Sequence, residues 1–420
     1  ALKTVAACFK SSTCFTVLPF TAFKARVMSC VLDSTGVEIR LVDPSEGRQR
    51  LFALRHFVEG EAVAVELPIV SCQLAWNRTC KYAACDLCLR PLETAEDNVR
   101  RLAAQPQLKL PQPGCCVTRT AEHTRCPSCQ VALYCSEACQ LRAWKEHHQV
   151  LCAVSSEPSQ LLHNLLEAWK KMHYPPETTT VELLVRILAG FIQAEDKSNS
   201  ALAVLEGFAT KAAREEEALL SRLLGDQWAQ KLSTLRELTA QLFRGHPCVN
   251  PWLTQQGFQS LLVLVARNGQ IIGTSALSTW VKNCGDLDLP SEERSSLDAL
   301  IDQLYSDIEK ESGAFLNNEG VGVFPLQSLC SHSCTPNTES SFPHNNYVLH
   351  LVALQDIDLG EEITISYLDE CSLNRSRHSR AKMLRENHLL TCSCKRCQAE
   401  ADQPDVTSDE EMDDEGDESS

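Results

Sequence analysis

Eight residues of the kind that bind zinc fall between positions 85 and 152: Cys85, Cys88, Cys126, Cys129, Cys135, Cys139, His148 and Cys152. The short steps among them are Cys-x2-Cys, Cys-x3-Cys and a final His-x3-Cys. Tetrahedral zinc takes four thiolate or imidazole ligands, and a short loop lets two neighbouring ligands reach one ion. Eight such ligands make two sites. His147 competes with His148 for one place: the spacing to Trp144 favours His147, the spacing to Cys152 favours His148, and His148 is the choice made here. A second cluster, Cys392, Cys394 and Cys397, lies near the other end of the chain.

Cysteine usage then bears on the compartment. The chain has 420 residues, 22 cysteines and 44% hydrophobic residues. A secreted disulfide scaffold is small and poor in core residues. A long chain with cysteines at metal spacing fits a reducing compartment, cytosol or nucleus. No uncharged apolar run approaches the roughly 18 residues of a membrane span, so a soluble protein is expected. Net charge is −16, and residues 402–420 carry ten acidic groups with no Lys, Arg or His. Such a tail repels itself, is expected to be disordered, and can attract basic proteins. Residues 1–32 contain no acid and four basic groups, Lys3, Lys10, Lys24 and Arg26. They are read as an unstructured leader, with Met28 as a plausible alternative start.

Periodicity gives a coarse layout. VEIRLV (37–42), LFAL (51–54) and AVAVE (62–66) alternate as strands do. The polar stretch between Cys88 and Cys126, with Pro106, Pro111, Pro113 and Gly114, reads as a loop. Helical spacing appears at 162–172, 181–193, 211–224, 227–243, 257–267 and 292–310. YVLHLVAL (347–354) and EITISYL (362–368) read as strands, and 376–390 as a helix leading into the last cysteines. The order fits a β domain carrying insertions.

YCSEACQLRAWKEHHQVLC (134–152) resembles the second half of a MYND finger, including the non-ligand residues Tyr134, Ser136, Gln140 and Trp144. SHSCTPN (331–337) and GEEITISYLD (360–369) resemble the two signature segments of a SET domain. With EGVGVFPLQSL before the first and Cys-x-Cys-x2-Cys after the second, the chain resembles the SET-and-MYND (SMYD) lysine methyltransferases over about residues 37 to 397.

The resemblance implies an α+β fold. A leader (1–36) precedes the N-terminal part of a SET domain (37–80). A two-zinc MYND finger (81–152) and a helical insertion (153–310) follow. The SET core resumes at 311–370, before a zinc-bound post-SET segment (371–398) and the acidic tail (399–420). Interleaved pairing would put Cys85, Cys88, Cys135 and Cys139 on one zinc, and Cys126, Cys129, His148 and Cys152 on the other. Cys334 would complete a third with Cys392, Cys394 and Cys397. All three would be structural, with four protein ligands and no open position.

The implied reaction moves a methyl group from S-adenosyl-L-methionine to a lysine of a histone tail or another basic protein, such as a ribosomal one. A free lysine has a pKa of about 10.4 and is mostly charged at neutral pH. The site must desolvate it, release its proton and align it. By resemblance, Tyr367 sits beside the reacting methyl, its hydroxyl orienting the amine and the sulfonium methyl, and it contacts the cofactor together with Gly47, Ser331, His332 and Ser333. His388 stands in the lysine channel. The finger would bind proline-containing peptides. Sequence-specific DNA binding is not expected, because the finger does not concentrate Lys and Arg as phosphate contacts require.

Three positions depart from the family pattern. Arg50 stands where a second glycine of EGRQRLFA is expected, Ser331 replaces an asparagine, and His388 replaces a tyrosine. They raise an alternative: a catalytically weak scaffold that recruits partner peptides.

Overall fold

The computed structural model describes residue 27 and residues 31–43, 48–152, 156–172, 181–194, 205, 213–225, 227–313, 317–388 and 390–403. Gly47, most of the leader and the acidic tail beyond residue 403 lie outside them. The described strands, in chain order, are β1 (Val31–Asp33), β2 (Val37–Asp43), β3 (Arg48–Ala53), β4 (Ala62–Glu66), β5 (Val70–Gln73), β6 (Thr124–Arg125) and β7 (Leu133–Tyr134). They continue with β8 (Gly269–Thr274), β9 (Asn318–Val323), β10 (Ser331–His332), β11 (Thr338–Ser341), β12 (Leu349–Ala353) and β13 (Thr364–Ile365).

These strands form small sheets. One has the order β1-β4-β12-β11 and another β5-β9-β8, while β2-β3, β6-β7 and β10-β13 are pairs. In the β2-β3 hairpin, Val37 pairs with Ala53 and Ile39 with Leu51. All four are buried, as the two-residue period requires when one face meets the core. β10 and β13 pair in parallel, Ser331 opposite Thr364 and His332 opposite Ile365. That pairing brings the SHSCTPN and GEEITISYLD segments side by side.

Several elements differ from the sequence-based expectation. β1 lies within the expected leader and pairs antiparallel with β4. The stretch expected as a loop holds a helix, Ala95–Leu102. Thr94 caps it by accepting the Asp97 N–H, and Ala95, Val99 and Leu102 fall on one buried face. The prolines that suggested a loop all lie beyond its end. The expected helical insertion contains β8, which pairs with β9 along six residues. Its sequence, GQIIGT, is too short to stand out between longer helical stripes. The EITISYL strand narrows to β13, because neighbouring residues bond other partners, such as Ile363 N–H to the Leu51 carbonyl at 2.8 Å.

One hydrophobic core joins the cysteine-rich segment to the sheets. Cys85, Cys88, Cys126, Tyr134 and Cys152 share it with Leu51, Phe57, Leu349 and Ile365. A second core packs the helices Val181–Gln193 and Gln255–Asn268 against Cys72, Val321 and Val323.

Arg186 ties the two together. It is only 4% exposed and donates to the Ser71 and Asp86 carbonyls at 3.1 and 2.6 Å. It also pairs with Asp86 Oδ1 at 2.7 Å and Glu182 Oε1 at 3.3 Å. Glu182 takes a second cation, Arg78, at 2.6 Å. Removing one partner of a buried ion pair strands the other charge. Arg186→Ala is therefore expected to lower stability by about 3–5 kcal/mol. Denaturant unfolding of the metal-loaded chain measures it, and a change below about 1 kcal/mol, the value of a surface pair, would contradict the assignment.

Candidate functional site

The twelve expected metal ligands fall into three groups of four: Cys85, Cys88, Cys135 and Cys139; Cys126, Cys129, His148 and Cys152; Cys334, Cys392, Cys394 and Cys397. Within each group the ligand atoms lie within 4.8 Å of one another. Each is a closed set of soft donors, which fits structural zinc. Local structure explains the approach. Ser136 caps the helix Glu137–Ala143 and accepts the Cys139 N–H, setting Cys139 3.5 Å from Cys135 across one turn.

His148 Nε2 lies 3.6 Å from the Cys129 sulfur. Its ring is framed by Tyr134 and Trp144, with centroids 6.1 and 6.0 Å away. His147 is buried outside the cluster, and its Nε2 has no hydrogen-bond partner among the described residues. The finger is bolted to its surroundings: the Tyr347 N–H donates to the Cys88 carbonyl at 2.8 Å, and Gln193 donates to the carbonyls of Trp144 and Lys145.

The third group sits against Tyr367. His332 accepts the Tyr367 N–H on Nδ1 at 3.0 Å, and its Nε2 meets the Cys334 sulfur at 3.4 Å. One imidazole thus connects the tyrosine to the cysteine set. Hydrogen bonding with Cys392, and further bonds with His332 and Arg380, lowers the pKa of the Cys334 thiol against the opposing effect of burial. Arg380 is fully buried; it lies 3.8 Å from the Cys397 sulfur and 2.6 Å from Glu400. A buried guanidinium beside several thiolates offsets their charge.

Tyr367 donates its hydroxyl proton to the Cys330 carbonyl at 2.7 Å. That leaves the oxygen lone pairs free to accept from another group. The residue is 37% exposed, yet burial of the hydroxyl end pushes the phenol up to about 12. The rings of His332 and His388 flank it, with centroids 5.4 and 5.2 Å away. Ser333 is fixed by its N–H to the Ile365 carbonyl at 2.9 Å.

Several positioning residues escaped the sequence reading. Asn337 staples the signature segments, accepting the Thr364 N–H at 2.8 Å and donating to the Glu362 carbonyl at 2.9 Å. Glu66, 1% exposed, accepts the N–H groups of Leu326 and Gln327, each at 2.8 Å. Burial pushes its carboxyl up to about 8, although the two N–H bonds pull the other way. It anchors the turn that carries Cys330 and Ser331 into place. A charge on the inward face of AVAVE was the available signal.

Gln49 Oε1, Gln327 Oε1 and Ser328 Oγ are buried with no hydrogen-bond partner among the described residues. Buried polar groups are rarely left unpaired, so these atoms are available to the polar groups of a bound cofactor.

Residues 48–368 match the SET domain family, and the chain belongs to it. Over 381 residues the chain is 52% identical to protein-lysine N-trimethyltransferase SMYD5 of Gallus gallus, covering 90% of each. The human SMYD5 is 50% identical over 377 residues, 89% of each. Human histone-lysine N-methyltransferase SMYD3 is 28% identical over 301 residues, 71% of this chain and 54% of that protein. These identities place the chain in the SMYD group of SET-domain methyltransferases.

Proposed function

We propose that the chain transfers a methyl group from S-adenosyl-L-methionine to the side chain of a lysine in a histone tail or another basic protein, such as a ribosomal one. The observation that carries this reading is the Tyr367 hydroxyl, anchored on the Cys330 carbonyl and flanked by His332 and His388. S-adenosylmethionine, when bound, supplies an electrophilic methyl group on a sulfonium. Gln49, Ser331, His332 and Ser333 would hold it, together with Gly47.

The protein groups do the rest. Aromatic faces draw in the lysine ammonium by cation–π attraction. Desolvation favours the neutral amine, and the open edge of Tyr367 gives the released proton a way to solvent. The Tyr367 oxygen, its own proton already committed to Cys330, accepts an amine N–H and aims the nitrogen lone pair.

The rest of the architecture follows the same proposal. The first two ligand sets form a zinc-bound MYND finger that docks proline-containing peptides. The third set forms a zinc-bound post-SET segment closing one wall of the lysine channel with His388. The acidic tail attracts basic substrates. No described cysteine is joined in a disulfide, which supports a cytoplasmic or nuclear location.

Incubating the zinc-loaded chain with isotopically labelled S-adenosylmethionine and purified histones or ribosomal proteins tests the proposal. Label on lysine, located and counted by mass spectrometry, is expected. Little cofactor binding by calorimetry, with no transfer to any protein, would favour the scaffold reading.

A further inference from the structure

Two of the three departures from the family pattern meet in space. Arg50 on β3 and Ser331 on β10 both contact the carboxylate of Glu362. Arg50 Nε lies 3.4 Å from Glu362 Oε1, and the Ser331 hydroxyl donates to the same oxygen. Backbone pairing makes this meeting unavoidable. Phe52 bridges to Glu362, the Ala53 N–H donates to the Glu361 carbonyl at 2.9 Å, and Ser331 pairs with Thr364. The segment around Glu362 therefore lies between β3 and β10.

The chemistry of the two departures is complementary. Arginine in place of glycine adds length and a positive charge. Serine in place of asparagine removes a carboxamide. Both Arg50 and Glu362 also act electrostatically on the Tyr367 phenol, so the cluster stands beside the proposed reaction site. Gln49, the preceding residue of β3, has a buried Oε1 with no hydrogen-bond partner among the described residues.

We propose that Arg50, Glu362 and Ser331 form one polar unit that sets the affinity of the site for the methyl donor, with Arg50 supplying the donor group that serine is too short to offer. The three are positioning residues, and the inference rests on the methyltransferase reading. Restoring one family residue alone breaks the unit. Arg50→Gly leaves the half-buried Glu362 carboxylate without its cation. Ser331→Asn forces a longer side chain against a position already filled. Restoring both lets the asparagine amide take over from the guanidinium.

The test is a double-mutant cycle on the zinc-loaded full chain, read by calorimetric affinity for S-adenosylmethionine and S-adenosylhomocysteine. Each single substitution is expected to weaken binding about ten-fold, and the double variant to recover most of it. Ten-fold is about 1.4 kcal/mol per single substitution, so full recovery in the double variant is a coupling of about 2.8 kcal/mol. Arg50→Lys should retain more affinity than Arg50→Gly. In a Glu362→Gln background the coupling should vanish, while melting temperatures report folding separately. Additive effects, or tighter binding by Arg50→Gly alone, would overturn the unit and leave the methyltransferase reading standing. Failure of both the parent chain and the double variant to bind either ligand would overturn both.

Discussion

Tyr367→Phe is expected to lower methyl transfer by roughly a hundred-fold or more, the scale on which misplacing a reacting group acts. Cofactor affinity should change little. The substitution removes one oxygen and keeps the ring between His332 and His388. What disappears is the acceptor fixed by its bond to the Cys330 carbonyl. The loss should fall on kcat, because the oxygen orients the amine after the side chain has entered. Single-turnover kinetics with a peptide substrate separates the two parameters. A fall confined to KM would assign Tyr367 to substrate binding alone. The pH profile adds a second check. Burial holds the phenol protonated up to about 12. Rates of both forms should therefore climb with pH as the substrate lysine, with a pKa of about 10.4 in water, loses its proton.

Much of this site could be read before the structure, and the reason lies in spacing. Metal ligands separated by two or three residues reach one ion through local geometry, so the grouping within Cys85–Cys88 or Cys135–Cys139 follows from sequence. The pairing of distant halves came from family resemblance, and the structure gathers the same sets. Long helices such as Ser291–Ser312 announce themselves through many repeats of one period. The two-residue ladder β10-β13 carries no period at all, yet it is what joins the signature segments.

Contacts between residues remote in sequence were the illegible part. Arg50 and Ser331 looked like separate departures, and only strand pairing brings both to Glu362. Asn337, Glu66 and Arg380 act through backbone groups or buried charges of other segments. Only Glu66, a charge at an inward position of AVAVE, left a local mark; the partners themselves lie far off in sequence.

Removal of metal is the second large effect expected. The chain's three closed ligand sets sit inside or beside its cores, with Cys85, Cys88, Cys126 and Cys152 in the main one. Structural zinc contributes about 10–16 kcal/mol in finger peptides at neutral pH. A whole domain's margin of stability is about 5–15 kcal/mol. Stripping the first two sets should therefore unfold the cysteine-rich segment and loosen the entry into β12, which it grips through Cys88 and Tyr347.

The third set allows a finer separation. Cys392→Ser should release one ligand while the first two sets stay loaded. The helix Arg377–His388 would then lose its anchor, and with it the contact of His388 to Tyr367. Hydrogen exchange in 377–388 should rise and transfer should fall sharply, with the finger's amides still protected. Elemental analysis should count three zinc ions in the parent chain and two in this variant, matching the three ligand sets. Unchanged metal content with full transfer would mean that this cluster holds the channel wall by packing alone. Loss of all protection would instead show that metal at the third ligand set supports the whole fold, because Cys334, joined through His332 to the tyrosine strand, couples this site to the β10-β13 pair.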